Sequence, residues 1–190
     1  MAQKTGLPLM TKPMDLSHAA AEVNPHRGDP KYVGNCSNCV TALFCRMMGL
    51  DVQAAPMQNA GHGINITDLK KVFKNFDDHV LTPAIAQGST ADEYAARLER
   101  QILRQCKNAN EKCWGTVSTT GHVFAWIVEN GGVRIVEPQE PKAETRFPGG
   151  KGYLAYHAAK AVAMNIPMSI CRVDNLEIDA KNLLDLVVRR

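Results

Sequence analysis

Two segments of this 190-residue chain carry residue types that do chemistry together: Asn35-Cys36-Ser37-Asn38-Cys39-Val40 and Gly121-His122-Val123-Phe124. The first puts a thiol where a loop turns into a helix, and the second puts an imidazole at the start of a strong β-pattern. A cysteine reacts as its thiolate, and a helix N-terminus or a nearby imidazolium favours that charge. A Cys at a helix start with a distant His on a strand is the pattern of a nucleophile and its base.

A third member follows from strand parity. The run 122–129 pairs back with 133–137 through Glu129-Asn130-Gly131-Gly132, a hairpin signal. A two-residue loop at Asn130-Gly131 sets His122 opposite Gln139 and Phe124 opposite Glu137. Sliding the loop to Gly131-Gly132 keeps the parity, so His122, Glu137 and Gln139 share one face in either register. An acid or amide on that face fixes the tautomer of the imidazole and steadies its positive charge. Pro138, at the end of the strand, is where a bulge could break the alignment.

Other candidates have plainer readings. Cys36-x-x-Cys39 has the spacing of a redox motif or half a zinc site, but the Cys106 and Cys113 spacing is too wide for a zinc knuckle and no strong strand precedes Cys36. Cys45, Cys106, Cys113 and Cys171 read as core or surface thiols. His18, His26, His79 and His157 lack acidic company; His62, between two glycines, is the one rival to His122. Asp174 and Asn175 read as a strand-ending turn, with Arg172 as an alternative receptor for an acidic substrate group.

The elements that must position these residues form an α+β layout in a single domain. A helix is expected over 36–48, with Val40, Leu43, Phe44, Met47 and Met48 as its buried stripe and Gly49 as its stop. Residues 51–66 read as loop. Thr67 caps a short helix carrying Leu69, Val72 and Phe73, and Thr90-Ala91-Asp92-Glu93 opens a third helix reaching about residue 105. Strands are expected over 114–119, 122–129 and 133–137, then a loop over 138–152, a helix over 151–163, a last strand over 168–173 and a terminal helix over 180–188. Residues 1–31, with four prolines and little periodicity, read as a linker or N-terminal extension, leaving 32–190 as the catalytic domain.

Composition narrows the class. Apolar residues make up 45% and charged residues 22%, ordinary for a globular domain with its own core. A net charge of +3 without a basic, aromatic-interleaved cluster gives no reason to expect nucleic acid as a partner. No apolar run reaches membrane-spanning length, so no membrane partner is expected. The six cysteines are expected to be free thiols, since a chain of this size does not need a disulfide framework.

The motifs carry a resemblance. Asn35-Cys36-x-x-Cys39-Val40-x-Ala42, then Arg46-x-x-Gly49-x-x-Val52-x-Ala54-x-Pro56, resembles the papain-fold toxins of glutamine-deamidase type, the Tox-PL group of bacterial polymorphic toxins. Gly121-His122-Val123-Phe124, Gly132-Val133-x-x-Val136-Glu137-Pro138-Gln139 and Arg172-x-Asp174-Asn175-Leu176 extend the match across 32–177. The resemblance implies a papain-like fold with the nucleophile helix packed on an antiparallel sheet. It implies hydrolysis of a glutamine carboxamide in a target protein, with Cys36 as nucleophile, His122 as base and acid, and Glu137 as the orienting residue. The family usually has Asp-Pro-Gln where this chain has Glu137-Pro138-Gln139, which leaves Gln139 as the alternative third member.

The papain signature, aligned by its cysteine, points to Cys39 as nucleophile; the toxin block points to Cys36, which is preferred for its unpaired helix-start amides. No cofactor or metal is required. The resemblance also implies a cognate immunity protein, and secretion or injection within a larger protein to act in a target-cell cytoplasm. The alternatives are a cysteine protease or transglutaminase on the same triad, and a zinc- or thiol-stapled binding module using Cys36, Cys39, Cys106 and Cys113.

Overall fold

A computed structural model describes residues 5–14, 16–57, 66–108, 110–140, 147 and 151–190. Its helices are α1 (Ala19–Val23), α2 (Cys36–Met47), α3 (Ile66–Val72), α4 (Ala91–Leu103), α5 (Lys151–Met164) and α6 (Ala180–Leu183). Its strands are β1 (Val52–Ala54), β2 (Val80–Leu81), β3 (Cys113–Thr119), β4 (His122–Glu129), β5 (Gly132–Val136), β6 (Ser169–Arg172) and β7 (Val187–Arg189). The fold is α+β with antiparallel sheets.

Five strands form the main sheet in the order β2-β6-β3-β4-β5, and β1 pairs with β7 in a separate ribbon. The hairpin register is the one read from the Asn130-Gly131 loop: Glu129 pairs with Gly132 and Ala125 with Val136. Asn130 and Gly131 both take positive φ, 53° and 72°. This is the primed turn whose twist matches the strands it joins.

The alternation along β4 divides the core in two. Val123, Ala125 and Ile127 face one cluster with Val40, Leu43 and Phe44 of α2, while Phe124, Trp126 and Val128 face a second cluster. That second cluster contains Leu98 and Ile102 of α4 and Leu154, Ala158 and Ala161 of α5. Helices therefore cover both sheet faces, and each fully buried Leu or Phe contributes about 1.5–3 kcal/mol. Thr90 caps α4 in a reciprocal box, its hydroxyl accepting from Glu93 N–H while Glu93 Oε2 accepts from Thr90 N–H.

Several expectations need correction. Within the stretch read as loop, Val52–Ala54 is a strand, held by Val187–Arg189 in the segment read as a terminal helix. That helix stops at Leu183, and residues 187–189 extend instead to cover the α2 face. Helix α3 begins at Ile66, so Thr67 lies inside it rather than at its cap. In α2 the stripe Val40, Leu43 and Phe44 is fully buried, whereas Met47 and Met48 are only partly so.

Part of the segment read as linker belongs to the core: Leu7, Ala19 and Val23 are buried in the α2 cluster. Arg46, also buried, ties it down by pairing with Glu22 as well as with Asp51 at 2.9 Å. Low hydropathy and scattered prolines masked a few well-placed apolar side chains. The cysteine expectation also changes, because Cys106 and Cys113 are joined by a disulfide and the other four thiols are free. No described helix is long and apolar enough to cross a membrane. The expected loop over 138–152 and the rival His62 fall largely or wholly outside the described residues.

Candidate active site

The site forms where the start of α2 meets the rim of the main sheet. Gly121, with φ of 77°, closes the two-residue turn from β3 and delivers His122 as the first residue of β4. On the neighbouring strand the ladder ends at Val136, and Glu137 follows it directly. The imidazole and the carboxylate thus sit side by side at the edge of the sheet, where the N-terminus of α2 can reach them.

His122 Nε2 lies 2.5 Å from Glu137 Oε2. Glu137 is almost wholly buried, and its other oxygen accepts from Gln139 N–H at 2.8 Å. Cys36 lies close enough to His122 to help raise the pKa of the imidazole. With Nε2 held by Glu137, Nδ1 is the ring nitrogen left for the sulfur. Burial alone would drive the imidazole towards neutrality. The hydrogen bonds to Cys36 and Glu137, and the charges on both, outweigh that and hold its pKa up at about 10. A protonated imidazole beside a cysteine is the partner that a thiol nucleophile requires.

The two cysteines of the motif occupy different positions. Cys39, one turn inward, donates to Asn35 Oδ1 at 3.3 Å and packs in the core. Its pKa is pushed well up, first by burial and then by the charges of Glu137 and Cys36. The contact with His122 comes from Cys36.

Asn35 occupies the N-cap position but gives no side-chain cap. Its amide is turned towards Asn24, to which it is linked at 3.3 Å, and towards Ala55 O, also at 3.3 Å. The amides of the first turn are the ones a helix cannot pair internally, and Cys36 is the first residue of that turn. Gln139 does not contact the imidazole. With Oε1 facing α2, its amide accepts from the N–H groups of Gly34 at 2.8 Å and Asn35 at 3.1 Å. Of the two alternatives for the third position, Glu137 touches His122, and Gln139 fastens the backbone leading into Cys36.

No family model matches the chain, and neither does any curated protein or solved structure.

The sequence reading missed the aromatic wall behind His122. Tyr153, from the first turn of α5, donates its hydroxyl to Glu137 Oε2 at 2.7 Å and lies 3.1 Å from His122 Nε2. His157, one turn along α5, stacks on His122 with ring centroids 5.5 Å apart and an interplanar angle of 24°. Burial, then the charges of His122 and Lys160, holds His157 near a pKa of 4 and therefore neutral. The signal available was the i,i+4 spacing of Tyr153 and His157, which puts both on one helix face.

A groove of about 770 Å³ opens above the site, and its lining includes Gly34, His122, Gln139, Tyr153, Tyr156 and Lys160. Cys36 does not line it, and its thiol is 0% exposed. Cys106 and Cys113 are bonded to each other, so they do not join Cys36 and Cys39 around a metal. No group of three or more His, Cys, Asp and Glu side chains is placed to hold a metal among the described residues. Arg172, the alternative receptor for a substrate acid, instead grips the chain's own carboxylates. It binds Asp174 at 2.8 Å and Glu111 at 2.5 Å, and donates to Gln105 O at 2.6 Å, which fastens the segment between α4 and β3.

Proposed function

We propose that this chain is a cysteine hydrolase of papain-like design that converts a glutamine side chain of a target protein to glutamate. The observation that carries the reading is the Cys36–His122–Glu137 grouping, with the base lining the groove and the thiol fully buried. A buried thiol suits a slender carboxamide better than a main-chain bond lying along the groove. This favours deamidation over proteolysis.

In the proposed reaction the Cys36 thiolate attacks the carboxamide carbon, and first-turn amides of α2 stabilise the oxyanion. His122 protonates the departing nitrogen, so ammonia leaves and a thioester remains. The neutral imidazole then takes a proton from water as it attacks the thioester. Glutamate is released and the Cys36–His122 pair is restored. The net change is one amide and one water consumed, one acid and one ammonia formed.

The resemblance of the three motif blocks to Tox-PL domains extends the proposal to a bacterial toxin, delivered within a larger protein and neutralised by an immunity partner. Intact-mass analysis of a treated target protein tests the reaction. Deamidation gives an unbroken chain with the small mass gain of amide-to-acid conversion. Proteolysis gives fragments and transamidation a heavier adduct; either result would overturn the reading.

A further inference from the structure

We propose that Tyr153 is a positioning residue of this site, aiming the Glu137 carboxylate at His122 so that the imidazole is held next to Cys36; the proposal rests on the triad reading above. The hydroxyl has one proton, and at 2.7 Å from Glu137 Oε2 that proton is committed to the carboxylate. The His122 Nε2 at 3.1 Å therefore meets the oxygen's lone pair, so its N–H is shared between Glu137 and Tyr153.

Glu137 is thereby fixed at both ends: Oε1 by Gln139 N–H at 2.8 Å, and Oε2 by the tyrosine and the histidine. Without the hydroxyl, one of two donors that hold the carboxylate rotamer besides His122 is lost.

Tyr153 itself is locked. Its ring packs edge-on to Phe124 at 5.1 Å and to His157 at 4.7 Å. Burial first, then the Glu137 charge, holds its proton on far above the ordinary phenol range, so it acts as a donor at every working pH. A phenylalanine here keeps the ring contacts and deletes only the donor.

The groups facing His122 are Cys36 from α2, Glu137 after β5, and Tyr153 and His157 from α5, with Lys160 acting on His157. The test measures alkylation of Cys36 by iodoacetate against pH, with the Cys36→Ala background subtracted. An anionic reagent reacts faster while the imidazolium is charged, so the upper limb of the profile reports His122 and needs no substrate. Tyr153→Phe is expected to move that limb down by about one pH unit, a tenfold weaker hold on the proton.

Glu137→Gln should move the limb further, and adding Tyr153→Phe to it should move it much less than Tyr153→Phe does alone, because Tyr153 acts mainly through Glu137. A purely structural tyrosine would lower the melting temperature of both backgrounds equally and leave the limb in place. A wild-type profile with no upper limb overturns the triad and Tyr153's role with it. A wild-type limb that Tyr153→Phe does not move, or a double variant that shifts additively, overturns Tyr153's role alone.

Discussion

His122 and Glu137 are diagonal cross-strand neighbours, two positions out of direct opposition at the rim of the sheet, with Nε2 and Oε2 2.5 Å apart. They meet there because β5 leaves the ladder after Val136, letting the carboxylate swing beside the imidazole rather than stand parallel to it. Glu137→Gln keeps the shape and removes the charge. Cys36 alkylation at neutral pH should fall by about a hundredfold or more, as when the acid of a catalytic triad is made an amide. A loss under threefold would exclude Glu137 from the site.

Stability should respond to pH through two histidines in separate windows. His122 is raised from 6.5 to about 10, so its contribution is complete below about 6.5 and is lost as pH rises towards 10. His157 is lowered from 6.5 to about 4, so its contribution is complete above about 6.5 and is lost as pH falls towards 4. Melting temperatures from pH 4 to 10 in wild type, His122→Ala and His157→Phe measure this. The first variant should flatten the alkaline slope and, by removing a charge that lowers His157, soften the acidic one; the second should flatten only the acidic one.

The turn that sets the register should be sensitive out of proportion to its size. Gly131→Ala places a Cβ at φ of 72°, where an L-residue costs about 1 kcal/mol. Denaturant unfolding should show that loss, and Cys36 alkylation should slow only if the hairpin shifts. An unchanged midpoint would mean that the primed turn does not hold the register.

The two cysteines should separate cleanly. Cys36→Ala should abolish activity, with a modest loss of stability from its buried sulfur. Cys39→Ala should instead lower stability by about 1–3 kcal/mol, because it removes a fully buried side chain that is hydrogen-bonded to Asn35. Loss of activity in Cys39→Ala with an intact fold would reverse the assignment.

What the sequence made legible follows physical rules of short range. Period-two alternation and the Asn130-Gly131 signal gave the register that brings His122 and Glu137 together, and the Thr90/Glu93 pattern gave the α4 cap. The rest depended on contacts across the fold. Nothing local marks Val187–Arg189 as a strand, because its partner, Val52–Ala54, lies far away in the sequence. Tyr153 and His157 lie on a helix whose sequence shows a face but not what it faces. Leu7, Ala19 and Val23 sit in a proline-bearing stretch with too few apolar residues to show a period.

The most direct test compares glutamine-to-glutamate changes across the proteome of cells expressing the wild-type chain with those expressing Cys36→Ala. The account predicts new glutamate sites in an otherwise intact target, present with wild type and absent with the variant. New sites that persist in Cys36→Ala, or cleaved chains in place of converted glutamines, would contradict it.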